Sequence, residues 1–446
     1  MSTIDADYVV VGAGAMGMAF VDEILTHSDA TVAMVDRHAR PGGHWNDAYP
    51  YVRLHQPSFF YGVSSARLGS DRIDAVGLNA GLSELASGPE VCAYFDQVMQ
   101  RRFLASGRVD YLPGANYRDG EATIAASGAT VTMNARRAVV DATYMKVTVP
   151  STTPPKYEVD DGATVIPPNL LPQMEQPADG YVVIGAGKTA FDAILWLVDQ
   201  RVDPGQIRWI APRDSWLINR AATQPGDGFR IGEQTRFAAE ADSARELFER
   251  LEAEGHFLRI DPSIEPTMYR CATVTDIEIE QLRRIEHVVR GARVRRVGTT
   301  EIELDGTTIP TSPDTVHVDC SADGLERLPI TPVFDGDRIT LQTIRACQQV
   351  FSAALIGRIE TLADLDDADK NELATVIPHP DTPHDYLTGS AAHIHNVGRW
   401  MARPEVAEWL GESRLSPTGG EAPDLGVAIT AVANLERFIA EADTPA

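Results

Sequence analysis

Apolar positions along the chain twice repeat one pattern: a short continuous burst, a glycine break, a run at helical spacing and a second burst. The first copy is "YVVVGAG" at 8–14, "AMGMAFVDEILTHS" at 15–28 and "ATVAMVDR" at 30–37. The second is "YVVIGAG" at 181–187, "KTAFDAILWLV" at 188–198 and "QIRWIAP" at 206–212. Continuous apolar bursts fit strands buried on both faces, and a helix between two of them makes a parallel βαβ crossover. The pattern therefore predicts an α/β chain with two Rossmann-like dinucleotide-binding domains.

Elsewhere the pattern is more mixed. Residues 41–68 are dense in Gly, Pro, Tyr and His and predict loop; "GPEVCAYFDQVMQRRFLASG" at 88–107 predicts helix; "ATIAASGATVTMNARRAVVDATY" at 122–144 alternates like a small meander. A proline-studded connector precedes Tyr181. Residues 238–290 are charged and predict mostly helix forming a solvated face or cap, and "EIELDGTTI" carries an Asp305-Gly306 hairpin turn.

Composition narrows the function. A chain of 446 residues with 43% hydrophobic content fills more than one core, and a formal charge of −25 repels nucleic acid and anionic membrane surfaces. No apolar run approaches the roughly 20 residues that cross a bilayer, and the chain enters a strand without a leader-like segment, so a cytoplasmic protein is expected. Cys92, Cys271, Cys320 and Cys347 form no CxxC pair, which argues against a disulfide scaffold or a dithiol centre. His379, His384, His393 and His395 lie in one stretch at spacings that fix no metal geometry, and no metal site is expected.

Gly12, Gly14 and Gly17 form G-x-G-x-x-G between strand and helix: the first permits the turn, the second lets backbone approach a pyrophosphate, and the third lets helix and strand pack closely. The helix N-terminus offers free N–H groups to the phosphates, and Asp36, ending the next strand, can accept from ribose hydroxyls. In the second unit Gly185, Gly187 and Ala190 repeat the device, with Lys188 and Thr189 within reach of phosphates. Its following strand ends near Arg213 with no acid in the ribose position, which points to the 2′-phosphate of NADPH. One unit would hold a resident flavin, FAD, and the other its reductant.

At "DRHARPGGHWNDAYPYVRLHQPS" the sequence resembles the flavin-containing and Baeyer–Villiger (class B) monooxygenases. Asp36-Arg37, Gly42-Gly43-His44-Trp45 and Tyr49-Pro50-x-x-Arg53 are similar to the family's G-G-x-W…Y-P-x-x-R segment. "ARRAVVDATY", "DTVHVDCSADG" and "IRWIAPRDSWLINR" are similar to its inter-domain crossings and nucleotide-phosphate segment. The resemblance implies a glutathione-reductase-like FAD domain, residues 1–155 plus 315–446, around an inserted NADPH domain, 178–314, with its helical insertion at about 238–290. It implies that Arg37, Gly43, His44 and Trp45 pass beside the flavin and that His55 and Gln56 are the catalytic candidates. It further implies oxygenation of a small organic substrate by O2; a homodimer is a possible assembly. Ile166 stands where the family's fingerprint histidine is expected, Tyr144 replaces a crossing glycine, and Asp323 precedes Gly324. These departures keep open an FAD/NADPH reductase or oxidase that makes no oxygenated product, and a non-catalytic dinucleotide-binding protein.

Overall fold

The first pair of apolar bursts forms β1 (Ser2–Val11) and β2 (Val32–Asp36), which pair in parallel through α1 (Ala15–His27), with Tyr8 opposite Val32. This is a computed structural model, and it describes residues 2–416 and 424–442. The expected 315–446 segment thus includes residues 417–423 and 443–446, which lie outside the described residues. β3 (Val109–Pro113) extends the sheet beyond β2, and β4 (Thr130–Asp141) flanks β1 on its other side. Strands Arg338–Thr340 and Phe334–Asp335 close the far edge. Helix Gln349–Glu360 lies on α1, where Gly357 allows the approach: a Cβ there would sit 2.9 Å from the carbonyl oxygen of Phe20. Between sheet and second helix, α1 buries every residue from Met16 to Leu25, including Asp22 and Glu23. Their carboxylates are met by Arg102 and Ser65, and by Trp409 and Ser64.

The region expected as a small meander is more than that. Its first part is one, since strand Glu121–Ile124 pairs antiparallel with Ala115–Arg118 and with the start of β4. β4 then runs on in parallel with β1 as far as Val11 opposite Asp141. One edge of β4 pairs with β1 while the other takes Glu121–Ile124 at its start and Arg338–Thr340 at its end.

The second sheet is wholly parallel. β5 (Thr164–Ile166), β6 (Gly180–Ile184), β7 (Ile207–Ala211), β8 (His287–Arg290) and β9 (Thr315–Asp319) stand in the order β5-β9-β6-β7-β8. The helix α2 (Lys188–Asp199) joins β6 to β7 and buries Ala190, Phe191, Ile194 and Leu197. The Asp305-Gly306 hairpin forms as expected, with Leu304 opposite Thr307 and Gly306 at φ +76°.

Residues 238–290 depart from the helical expectation. Helices Ile231–Glu240 and Ala244–Ala253 are followed by strand Met268–Val274 before helix Asp276–Leu282, and His287–Arg290 is β8. The last helix starts on a Thr275/Glu278 capping box and stops at Leu282, after which Val288 and Val289 pair with Trp209 and Ile210 in the sheet. Nor is the region a solvated cap: Phe237, Ala238, Leu247 and Phe248 form a core with Tyr386, Leu435 and Phe438 of helices Pro383–Ala402 and Leu425–Ala442. Charge on the outer faces hides this apolar stripe from a reading of composition. Among the described residues no helix is long and apolar enough to cross a membrane.

Candidate functional site

The first glycine turn is built as its spacing requires. Gly12 sits at φ +105°, and a Cβ on Gly17 would overlap the carbonyl oxygen of Gly12, so the third glycine sets the helix–strand approach. Gly14 caps α1 with backbone only, leaving N–H groups of the first turn without side-chain partners. Gly43 lies against it: a Cβ on Gly43 would be 2.9 Å from the Gly14 Cα. Asp36 is buried at the end of β2, where its carboxylate accepts from the Ala13 N–H at 2.6 Å and the His38 N–H at 2.7 Å. The His38 ring lies between Asp36 and Asp47, at 2.9 and 2.8 Å, and the Asp36 contact raises its pKa against the cost of burial. Arg37 points outward, 3.7 Å from Asp47.

At the second turn Gly185 has φ +139° and a Cβ there would stand 2.5 Å from the Cys320 carbonyl oxygen. Gly187 is different, for no atom lies within 4 Å of where its Cβ would be. It caps α2 without a side-chain hydrogen bond, so the N-terminal amides of α2 face open space. Lys188 is paired with Asp192 and lies 3.9 Å from Glu278. Arg213, just beyond β7, forks onto Asp381 with contacts of 2.9 and 2.8 Å.

A cavity of about 990 Å³ runs between the two halves. Gly185, Gly187, Lys188, Thr189 and Arg213 line one side, and His44, Trp45, His55 and Gln56 the other. Nine of the fifteen candidate residues thus meet around one space. Gly12, Gly14, Gly17, Asp36, Arg37 and Gly43 do not line it; Gly14 packs against Gly43, the residue before His44. That segment is fixed by hydrogen bonds: the Trp45 indole donates to the Tyr61 hydroxyl at 2.7 Å, and the Tyr49 hydroxyl donates to Asp192 on α2 at 2.6 Å. The His55 ring has a buried Nδ1 with no partner among the described residues, and burial, with Lys188 and Arg220 nearby, pushes its pKa down to about 3. It is a neutral imidazole at physiological pH.

Three features were not foreseen from sequence. Arg220 is fully buried, and its guanidinium donates to the carbonyls of His55 and Thr273, to Asn79 and to Glu278 at 3.0–3.2 Å. It holds the His55 segment to the second half. Cys271 and Cys347, 76 residues apart, form a disulfide on the cavity wall, contrary to the expectation from the missing CxxC; strand Met268–Val274 and the loop before Gln349 bring them together. Buried His379 lies beside them, and the three ligand atoms fall within 4.8 Å of one another, a metal-ligand set only once the sulfurs are reduced. His393 lies apart, on a second, smaller cavity.

A mixed sheet with a parallel centre and a wholly parallel sheet, each carrying a glycine turn, with a cavity between them, define a two-dinucleotide-domain α/β fold. Solved structures share it: cyclohexanone monooxygenase bound to ε-caprolactone is similar with a TM-score of 0.52 and 15% identity over 99% of each chain. The OTEMO complex with FAD and NADP also gives 0.52, at 14% identity over 80% of this chain and 83% of that one. By sequence the chain belongs to the family of mycobacterial proteins that includes uncharacterized protein Rv2000 of Mycobacterium tuberculosis (strain ATCC 25618 / H37Rv). The two are 50% identical over 422 residues, covering 93% of this chain and 78% of the relative. No protein-family profile matches.

Proposed function

We propose that the protein is an FAD-dependent oxidoreductase that takes its electrons from NADPH, and that it is a monooxygenase acting with O2 on a small organic molecule. The observation that carries this is the large cavity with the open backbone of Gly187 at one side and the His44–Trp45 segment, seated on the first turn, at the other. The donor sets suit their ligands: uncapped helix N-termini for two pyrophosphates, and Asp36, whose oxygens have further accepting capacity, for a ribose. Gly12, Gly14, Gly17, Asp36, Arg37, Gly43, His44 and Trp45 would hold FAD; Gly185, Gly187, Lys188, Thr189 and Arg213 would hold NADPH. The corresponding domains are residues 1–155 plus 315–446, and 178–314.

Bound FAD supplies two-electron redox chemistry and reaction with O2. The chain's part is to bind, orient and shelter. The amides of α2 orient the nicotinamide dinucleotide, and Arg213 would meet the 2′-phosphate by turning its fork away from Asp381. Trp45, Phe60, Tyr61 and Phe229 form an apolar wall that limits water. Neutral His55 can accept or donate a hydrogen bond at Nδ1, according to its tautomer, without placing a charge in the cavity.

A second reading, a reductase or oxidase releasing no oxygenated product, is favoured by Ile166: it is held in β5 opposite Val318, so no histidine stands at that entry to the second sheet. Isotopically labelled O2 separates the two. Label in an organic product supports oxygenation; with candidate substrates present, peroxide equal to the NADPH consumed and no labelled product refutes it.

A further inference from the structure

Behind the disulfide lies a second cavity of about 150 Å³. It shares Ile218, Phe229, Cys271, Cys347 and Gln348 with the large one, so the two spaces abut across the Cys271–Cys347 bridge. Most of its wall is apolar, from Ile231, Phe257, Ile377 and Leu435 among others, and one cation lines it. Arg345 is 96% buried, being 4% exposed, and its guanidinium has no carboxylate, carbonyl or hydroxyl partner among the described residues. Its one contact of note is the Phe351 ring, 4.8 Å from the guanidinium carbon to the ring centre.

A buried cation without a counter-ion is costly, and two other buried charges show the usual remedy: Arg220 is paired with Glu278 and Asp22 with Arg102. Burial alone lowers the pKa of Arg345 to about 10, so it keeps its charge at neutral pH. Two further polar atoms at this wall are buried and unpartnered, His393 Nδ1 and Gln348 Oε1. Asp385, the acid on the same wall, is already taken up by Arg327, the Thr382 hydroxyl and the amides of Asp381 and Thr382.

We infer that this cavity is a binding site for a small apolar carboxylic acid, with Arg345 receiving the carboxylate in its guanidinium fork and His393 donating to it from Nδ1. The fork matches the two carboxylate oxygens, and a space of this size takes a body of about one aromatic ring. Gln348 Oε1, on the wall shared with the large cavity, accepts from a hydroxyl or amine on the ligand. The far end of the acid then faces the disulfide wall and the proposed redox cavity. The site is a binding site beside the proposed redox cavity, and its existence does not depend on the redox reading.

The test uses the full chain without NADPH, measuring thermal melting and calorimetric binding of benzoate, 4-hydroxybenzoate and hexanoate against their uncharged amides. The expected result is that at least one acid binds and raises the melting temperature while its amide does not. Arg345→Met should weaken that binding at least about 10-fold, with Arg345→Lys between the two, as loss of one charge-assisted contact implies. Arg345→Met should melt no lower than the native chain without ligand, since an unpaired buried charge has been removed. Equal binding of acid and amide, absence of binding by all three acids at millimolar concentration, or unchanged binding in Arg345→Met overturns the inference. The acid–amide comparison on the native chain decides even where a variant does not fold. Acid binding with no flavin reduction by NADPH would fault the redox reading and leave this site standing.

Discussion

Gly185 and Gly187 separate folding from binding within three residues. Gly187 has φ −101°, which any residue adopts, and a Cβ there meets nothing within 4 Å. Gly187→Ala should therefore change stability by no more than about 0.5 kcal/mol, or raise it slightly by restricting the unfolded chain. The added methyl stands where the dinucleotide phosphates must approach the amides of α2. Losing one charge-assisted N–H contact costs about 1.5–3 kcal/mol, or roughly 10–100-fold in affinity. At Gly185 a Cβ is both in the left-handed region, at φ +139°, and 2.5 Å from the Cys320 carbonyl oxygen. Backbone strain and overpacking together predict a loss of roughly 2–5 kcal/mol for Gly185→Ala. Calorimetric titration with NADP+ and chemical denaturation, done on both variants, give the two numbers. If Gly187→Ala binds NADP+ as the native chain does, or is destabilised as much as Gly185→Ala, the assignment of the second turn as a phosphate cradle is refuted.

Arg220→Met leaves buried Glu278 with only Lys188, 3.9 Å away, and the carbonyls of His55 and Thr273 without their donor; a loss of about 3–5 kcal/mol is expected in urea denaturation, and a loss under 1 kcal/mol would remove Arg220 as the tie between the halves. Denatured without reductant, the native chain should titrate two thiols, Cys92 and Cys320; with Cys271 and Cys347 both changed to serine it should lose about 4.5 kcal/mol, the chain-entropy value for a bridge spanning 76 residues, whereas four titrated thiols would contradict the pairing. Acid should destabilise the fold. His55, His379 and His393 are held by burial at about 3, 4 and 3, below the unfolded value of 6.5, so the unfolded chain takes up protons first and stability falls as pH drops from about 6.5 toward 4. Each contributes up to about 1.4 kcal/mol per pH unit, while His38, raised by Asp36, works in the opposite sense. Urea midpoints measured from pH 7 to 5 should decrease, and a flat profile would contradict the neutral buried histidines.

The glycine turns were legible in sequence because their physics is local. A strand must end, a helix must begin, and three backbone positions must lack side chains, all within a dozen residues. The same holds for the Asp305-Gly306 hairpin and for Asp36 at a strand end. What escaped depended on partners far apart in the chain. Arg220 gathers acceptors from His55, Asn79, Thr273 and Glu278, and no one of them marks it. Cys271 pairs with Cys347 because a strand and a helix-leading loop converge, which spacing does not encode. Lys188 and Arg213 were identified as phosphate ligands from position alone, and the structure adds the acids, Asp192 and Asp381, with which they are already paired. The strands at 268–274 and 287–290 were masked by neighbouring charge that faces solvent. Unpaired Arg345 was invisible for the converse reason, since a missing partner leaves no trace in the residues that are present.

The central claim is that a visiting coenzyme at the second turn reduces a flavin held at the first, across one cavity. The direct measurement is anaerobic rapid mixing of NADPH with the purified chain loaded with FAD. The expected result is a yellow protein whose flavin absorbance bleaches on mixing, with one NADPH oxidised per flavin and Gly187→Ala slowed at low NADPH concentration. A chain that stays colourless after incubation with FAD, or a bound flavin that NADPH leaves oxidised, would contradict it.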